Sequence, residues 1–161
     1  MKNILLVVAL LIGTLTIWRC ASPASPPVNV IPSARPKTVP QFDAIDGSKL
    51  NKAFPASLDG FKLTFTQEKD GFAQAELSRE GKKYATLSIS DTAASPSARD
   101  KFKGDSEIGG YPSSAVGSQG TAVLVGSRYQ VQVRSASPNF TEAQRREWIE
   151  KFKLDALPRI P

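Results

Sequence analysis

The sequence predicts an α+β domain in which an antiparallel sheet of about six strands carries a C-terminal helix on one face. Three observations support this fold class. Residues 61–90 hold three alternating segments separated by turns, residues 120–135 have the pattern of a hairpin, and residues 141–153 have a helical pattern. Successive strands with tight turns pair antiparallel. We place this domain at residues 43–158, after a signal or anchor segment (1–19) and a proline-rich linker (20–42).

The first segment is predicted to be a signal peptide or a membrane anchor. Residues 4–18 carry no charge and lie between Lys2 and Arg19. As a helix this run would span roughly 22 Å, which is shorter than a hydrocarbon core of about 30 Å and fits a signal peptide. It also fits a short anchor if Trp18 lies at the interface and the flanking cations extend to the headgroups.

Three fates of this segment stay open. Cys20 follows the apolar run and resembles the lipidated cysteine of bacterial lipoproteins, although Trp18 and Arg19 stand where that signal has small residues. Cleavage after Ala24 is the second fate, and retention as an anchor is the third. Each fate puts the domain outside the cytoplasm. We therefore expect a cell-envelope protein, held to the membrane through residues 4–18 if uncleaved, or exported.

The linker is predicted to be extended or disordered. Six of the twenty residues from 21 to 40 are proline, and proline removes amide donors and fixes φ, so helix and central strand are disfavoured. An extended polyproline segment rises about 3.1 Å per residue and would reach on the order of 60 Å here. A spacer is the favoured interpretation, and a ligand for a proline-binding groove is the alternative.

The first half of the domain is predicted to be a short helix followed by a three-stranded meander. Ser48 is the expected cap of a helix that carries Leu50 and Phe54 and ends at Pro55. Period-two alternation of apolar and polar residues indicates half-buried strands. The strands are predicted at residues 61–66, 72–79 and 84–90, with turns at Asp70-Gly71 and Glu80-Gly81.

The second half is predicted to contain a helical turn, a strand and the hairpin. The turn would begin at Ser95 or Ser97 and run through Phe102. Residues 111–116 would form a strand at a sheet edge, because Pro112 has no amide hydrogen. Gly126-Ser127 is expected to form a type II′ turn between the hairpin strands, with glycine supplying the positive φ.

The C-terminal helix is predicted to start at a capping box and to pack an apolar stripe on the sheet. Thr141 is followed three residues later by Gln144, which is the capping-box spacing. Arg145 is expected among the charged residues around the rest of the helix. The apolar stripe is predicted to consist of Ala143, Trp148, Ile149 and Phe152, continued by Leu154 and Leu157.

Composition and charge argue against several classes of function. The net charge is +6, but all 15 acidic side chains and 17 of the 21 basic ones follow residue 40. The domain therefore lacks the clustered basic excess that is typical of nucleic-acid binding, and we expect no nucleic-acid partner. The chain has no histidine and one cysteine, which excludes an intrachain disulfide, Cys/His zinc sites and Ser-His-Asp nucleophile systems. We predict no catalytic residue, metal or cofactor.

Four residues are the candidates for binding. Asp91 ends a predicted strand and is the best-placed carboxylate, although a structural capping role is the simpler interpretation. Arg128 and Tyr129 stand beside the hairpin turn and would form a recognition edge with Tyr111. Cross-strand packing is the default explanation for the residues of this edge.

The favoured function is that of a non-enzymatic envelope protein whose domain binds a protein or cell-wall partner. The layout of tether and small domain resembles that of many small bacterial envelope proteins. One alternative is a histidine-free hydrolase that would use Asp91 and a second carboxylate about 5–10 Å away. Another is a small inhibitor or immunity-type protein.

Overall fold

The computed structural model describes residues 43–56 and 60–160. The predicted signal or anchor segment, Cys20 and the proline-rich linker lie outside these residues. Within the described residues, no helix has both the length and the apolar character needed to span a bilayer. The strands are β1 (Lys62–Lys69), β2 (Phe72–Arg79), β3 (Lys82–Asp91), β4 (Glu107–Ile108), β5 (Tyr111–Ala115), β6 (Gly120–Val125) and β7 (Tyr129–Ser135).

The helices are short. Those in the described part of the chain are α1 (Gly47–Leu50), α2 (Glu142–Glu150) and three 3-10 helices at Asn51–Ala53, Pro96–Phe102 and Leu154–Arg159. We call the second 3-10 helix the crossing helix and the third the C-terminal 3-10 helix. The crossing helix is the helical turn predicted to run through Phe102.

One antiparallel sheet joins the seven strands in the order β1-β2-β3-β7-β6-β5-β4. Two meanders therefore meet where β3 pairs with β7, from Ala85 opposite Ser135 to Asp91 opposite Tyr129. The α+β class is confirmed, and β4 is an additional strand. The prediction that residues 111–116 form an edge strand was wrong, because β4 covers the outer side of β5.

The core lies between one face of the sheet and the helices α1 and α2 with the C-terminal 3-10 helix. Helix α2 packs on β6 and β7, as predicted. Full burial of a Val, Leu or Ile side chain contributes about 1.5–3 kcal/mol. The buried apolar residues that alternate along the strands therefore supply much of the stability of the domain. Among the fully buried strand residues are Leu77, Leu87, Ile89, Val123, Val125, Val131 and Val133.

Helix α2 has the predicted capping box. The side chain of Thr141 accepts from the amide of Gln144, and the side chain of Gln144 accepts from the amide of Thr141 at 2.8 Å. The helix ends at Glu150, earlier than predicted, but the apolar contact continues. Trp148, Ile149, Phe152, Leu154 and Leu157 are all buried, whereas Ala143 of the predicted stripe is exposed.

The expected exposure of Arg145 was wrong. Its side chain is buried, with Nε donating to Thr121 Oγ1 and Nη1 to Ser135 Oγ, both at 2.9 Å. The two hydroxyls belong to β6 and β7, and Ser135 Oγ in turn donates to the carbonyl of Phe140. Helix α2 therefore turns a charged residue toward the sheet because neighbouring strands provide acceptors for it.

Two local predictions also need correction. The cap of α1 is Asp46, whose Oδ1 accepts from the amide of Ser48 at 2.9 Å, so Ser48 lies inside the first turn. In the hairpin turn, Arg128 N donates to Val125 O, and both Gly126 and Ser127 have positive φ, at 58° and 55°. Positive φ at both central residues is the type I′ pattern, which fits strand twist as well as type II′ does.

The second face of the sheet is only partly covered. The crossing helix contacts β5 and β6. Phe102 of this helix and Ala122 of β6 are buried but lie outside the main core cluster. We conclude that, among the helices of the described residues, the crossing helix covers this face over β5 and β6 and none covers it over β2, β3 and β7.

Candidate functional site

Two clefts are lined by the C-terminal residues of the domain. The first, which we call the Tyr111 cleft, has a volume of about 470 Å³, and the second, the Arg128 cleft, has a volume of about 280 Å³. Arg159 lines the first and the next residue, Ile160, lines the second. The Tyr111 cleft is also lined by Gly109, Glu150, Phe152, Lys153, Leu154, Asp155 and Ala156, and the Arg128 cleft by residues 43–46, Lys49 and Tyr129.

Tyr111 enters its cleft from the first position of β5. The turn before it, Gly109-Gly110, has positive φ at both residues, 59° and 79°, so glycine suits both positions. The hydroxyl of Tyr111 donates a hydrogen bond to Asp155 Oδ1 of the C-terminal 3-10 helix. This bond and burial raise the pKa of Tyr111 above its usual value, against the opposing charge of Arg159. The phenol is therefore a neutral donor at physiological pH.

The Tyr111 cleft combines an apolar floor with charged groups that the fold leaves available. Phe152 and Leu154 are buried at its base. The side chains of Glu150, Lys153 and Arg159 make no hydrogen bond or ion pair with another residue in 43–56 or 60–160. The carboxylates of Glu150 and Asp155 also line the cleft. A ligand that carries an apolar group and a carboxylate would therefore have to place its carboxylate beside Lys153 and Arg159.

Asp91 and Arg128 form a two-point ion pair beside the Arg128 cleft. Arg128 Nε lies 2.9 Å from Asp91 Oδ1, and Nη2 lies 2.6 Å from Oδ2. The carboxylate side chain is 1% exposed and the guanidinium side chain 40% exposed. Burial alone would raise the pKa of Asp91, but hydrogen bonds from Arg128 and the Ala93 amide outweigh it and hold that pKa below its usual value. The carboxylate is consequently ionised, and both of its oxygens accept hydrogen bonds from Arg128.

Tyr129 and the hairpin turn are fixed around this ion pair. The Arg128 guanidinium carbon lies 5.2 Å from the centre of the Tyr129 ring, in cation–π range. Thr92 donates to the Arg128 carbonyl through its amide at 2.9 Å and its hydroxyl at 2.6 Å. Arg99 of the crossing helix donates to the Ser127 carbonyl at 2.8 Å. Burial raises the pKa of Tyr129.

The structure thus divides the four candidate residues between two places. Asp91, Arg128 and Tyr129 come together at one end of the β3–β7 ladder, whereas Tyr111 lies in the other cleft. Sequence reasoning did not single out Glu150, Lys153, Asp155 or Arg159. The signal that could have indicated them is the alternation of charged and apolar residues after helix α2. That pattern is also typical of the frayed end of a helix.

Comparisons with protein-family models, curated proteins and solved structures found no match to this chain. Among the residues that the structure covers, no group of three or more His, Cys, Asp or Glu side chains is arranged to hold a metal ion. We therefore infer function from the geometry of the two clefts.

Proposed function

We propose that this chain is a non-enzymatic protein of the cell envelope, membrane-tethered or exported, whose domain binds a protein or cell-wall partner in the Tyr111 cleft. The observation that carries the proposal is the cleft itself. A buried apolar floor lies beside Lys153 and Arg159, and neither of these side chains makes a hydrogen bond or ion pair within residues 43–56 and 60–160. Ligand sites commonly combine an apolar lining with a few polar groups that fix orientation.

The chemistry of the cleft favours a peptide that bears a carboxylate. Lys153 and Arg159 would make charge-assisted hydrogen bonds to the carboxylate, which are about twice as strong as neutral ones. Phe152 and Leu154 would contact an adjacent apolar side chain. Such a peptide occurs in proteins and in the peptide portion of cell walls. Either partner would present the same groups to the cleft.

The state of Asp91 supports binding over hydrolysis. A carboxyl group that acts as a general acid near neutral pH needs a raised pKa, whereas the pKa of Asp91 is lowered. A carboxylate nucleophile needs access to substrate, whereas the side chain of Asp91 is 1% exposed and bonded to Arg128 through both oxygens.

Site-specific crosslinking in cells tests the proposal. A photoreactive residue would replace Ala156 in the full chain expressed in bacterial cells, with Gly104 as the control position because its surroundings are open. We expect a discrete adduct from position 156 in the envelope fraction. The change Lys153→Glu with Arg159→Glu should abolish it, while Lys52→Glu with Lys82→Glu, at exposed positions elsewhere, should not.

Four results would contradict the proposal or favour one of its alternatives. Equal adducts from positions 156 and 104 would mean that the cleft has no partner. A full-length product confined to the cytosol would remove the envelope location. Turnover of a cell-wall glycan or an ester by the purified chain would favour the hydrolase, and a tight stoichiometric complex with a secreted enzyme would identify the inhibitor alternative.

A further inference from the structure

The Arg128 cleft contains a hydroxyl group to which the fold gives no partner. Tyr129 lines the cleft, is only 3% exposed and belongs to the main core. Its hydroxyl makes no hydrogen bond within residues 43–56 and 60–160. Among these residues the one enclosed polar side-chain atom without a partner is Asn51 Oδ1, so the Tyr129 hydroxyl is not enclosed and opens into the cleft. Because a buried tyrosine usually bonds through its hydroxyl, this one marks a position for a ligand atom.

Arg128 brings unused donors to the same cleft. Its Nε and Nη2 atoms bond to Asp91 at 2.9 and 2.6 Å, whereas Nη1 makes no hydrogen bond within the described part of the chain. The guanidinium carbon lies 5.2 Å from the centre of the Tyr129 ring, and the side chain is 40% exposed. Nη1 and the Tyr129 hydroxyl are therefore neighbouring donors, and a carboxylate is the group that accepts such bonds most strongly.

The segment before α1 brings acceptors to the cleft. Asp43 makes no hydrogen bond or ion pair with another described residue, and Asp46 accepts from the Ser48 amide through Oδ1 alone. This bond holds the pKa of Asp46 below its usual value, so the carboxylate is ionised. The Gly71 amide donates to the Ile45 carbonyl at 2.6 Å, which fixes the segment beside the sheet. The two carboxylates can accept hydrogen bonds from an ammonium group.

The charged side chains that line the cleft divide equally between the two signs. Asp43 and Asp46 are acidic, and Lys49 and Arg128 are basic. The buried Asp91 adds a third negative charge behind Arg128. A ligand with a carboxylate alone would meet three acidic groups, and a ligand with an ammonium alone would meet two basic ones. A ligand that carries both charges finds a counterpart for each.

We propose that the Arg128 cleft binds a free α-amino acid with an apolar side chain. The carboxylate of the ligand would accept from Arg128 Nη1 and the Tyr129 hydroxyl, and its ammonium would donate to Asp43 and Asp46. Its side chain would contact the apolar part of the lining, which consists of Ala44, Ile45 and Ile160. A residue within a peptide carries neither backbone charge and a terminal residue carries one. The free amino acid therefore supplies both charges within a cleft of about 280 Å³.

NMR titration of the purified, isotope-labelled full chain tests this inference, with L-leucine and L-phenylalanine as probes. We expect saturable shifts at the amides of residues 43–46 and 128–129, which line the cleft. Two leucine analogues each lack one charge: N-acetyl-L-leucine lacks the ammonium, and L-leucinamide lacks the carboxylate. Each analogue should bind about tenfold more weakly than leucine, because it loses charge-assisted hydrogen bonds and leaves their partners unpaired.

Two pairs of variants locate the binding groups. Tyr129→Phe removes a hydroxyl that bonds to nothing inside the described fold, so it should weaken leucine binding about fivefold without lowering the melting temperature. Tyr84→Phe is its matched control, because Tyr84 is half-buried and lines a different cleft. Asp43→Asn should weaken leucine binding, whereas Asp105→Asn, at another exposed position, should not.

Several outcomes would overturn the inference. They are the absence of saturable shifts with both probes, equal affinity for leucine and either analogue, and equal effects of a variant and its matched control. Lys153→Glu, in the Tyr111 cleft, should keep leucine binding, which separates this test from that of the proposed function. Loss of leucine binding in that variant would place the amino acid in the Tyr111 cleft and would contradict the assignment to the Arg128 cleft.

Discussion

At the scale of single residues, Arg145 shows how a charge can be held inside this domain by neutral partners. The ion pairs of the described residues do not include Arg145, and its guanidinium bonds to the hydroxyls of Thr121 and Ser135. Desolvation of a charge is costly, and breaking its contacts is more damaging than replacing it with an apolar side chain of similar length.

We therefore expect the double change Thr121→Val with Ser135→Ala to lower the free energy of unfolding by about 3 kcal/mol, because it removes both hydroxyl acceptors from a buried guanidinium. The single change Arg145→Met should cost less than about 1 kcal/mol, because it removes the charge and keeps the aliphatic packing. Denaturant unfolding followed by fluorescence measures both. A larger loss for Arg145→Met than for the double variant would contradict this account.

The second prediction at the residue scale concerns Asp91, whose ionisation should make the free energy of unfolding depend on pH. The folded pKa of Asp91 lies below its ordinary value of about 3.9. A lowered folded pKa contributes stability that is present above the unfolded pKa and is lost as pH falls through the folded pKa. Solvent weakens the pair because Arg128 is 40% exposed, so the expected contribution near pH 7 is about 1–2 kcal/mol.

The variant Asp91→Asn should therefore be less stable than the parent chain at pH 7 and should approach it as the pH falls through the lowered folded pKa of Asp91. The measurement is the free energy of unfolding across pH 2–7 for both proteins at one ionic strength. Parallel pH curves for the parent and the variant would show that Asp91 does not contribute in this way.

At the scale of elements, the β2–β3 turn offers a stabilising change. Glu80 has φ of 53° and Gly81 has φ of 74°, which is the type I′ pattern that favours Asn-Gly. We expect Glu80→Asn to raise the free energy of unfolding by about 0.5–1 kcal/mol. Asp70→Asn is the matched control, since Asp70 also precedes a glycine in a two-residue turn but is not among the positive-φ residues. Equal effects of the two changes would contradict the backbone explanation.

The second prediction at this scale concerns Gly47, where α1 closely approaches the β1–β2 turn. A Cβ at Gly47 would lie 2.5 Å from the carbonyl oxygen of Phe72 and also against the backbone of Lys69. Gly47→Ala should lower the melting temperature by roughly 10 °C, from about 2 kcal/mol of overpacking in a domain of this size. Gly104→Ala, where nothing lies within 4 Å, should leave it nearly unchanged. Similar losses in both variants would contradict the steric explanation.

Sequence periodicity predicted the longer strands because alternation over six or more residues is typical of a half-buried strand and does not fit the 3.6-residue period of a helix. β4 was missed because two residues have no period. Arg145 was misplaced because a helical pattern separates apolar from polar residues, while the hydroxyls that make burial of this arginine acceptable come from Thr121 and Ser135 on other strands.

At the scale of the whole molecule, the candidate sites depend on contacts between distant parts of the chain. Tyr111 meets Asp155 across 44 positions, and Asp91 meets Arg128 across 37. The sequence indicated Asp91, Tyr111, Arg128 and Tyr129 from their chemistry and position beside strands or turns. It grouped Tyr111 with Arg128 and Tyr129, whereas the structure places Tyr111 in the other cleft. The actual partners follow from the β3–β7 register and from the position of the C-terminal 3-10 helix, which the sequence did not indicate.

The meeting of the two meanders at β3 and β7 has a consequence for assembly from separate pieces. The exposed residues 103–106 join the halves without belonging to a strand. A chain broken between Gly104 and Asp105 keeps every strand intact, and its fragments present complementary edges with seven residue pairs. We expect co-expressed fragments 1–104 and 105–161 to associate into one particle in size-exclusion chromatography, and Val131→Glu, which buries a charge at that junction, to prevent this. The domain would then serve as a split reporter whose signal depends on one pair of strands.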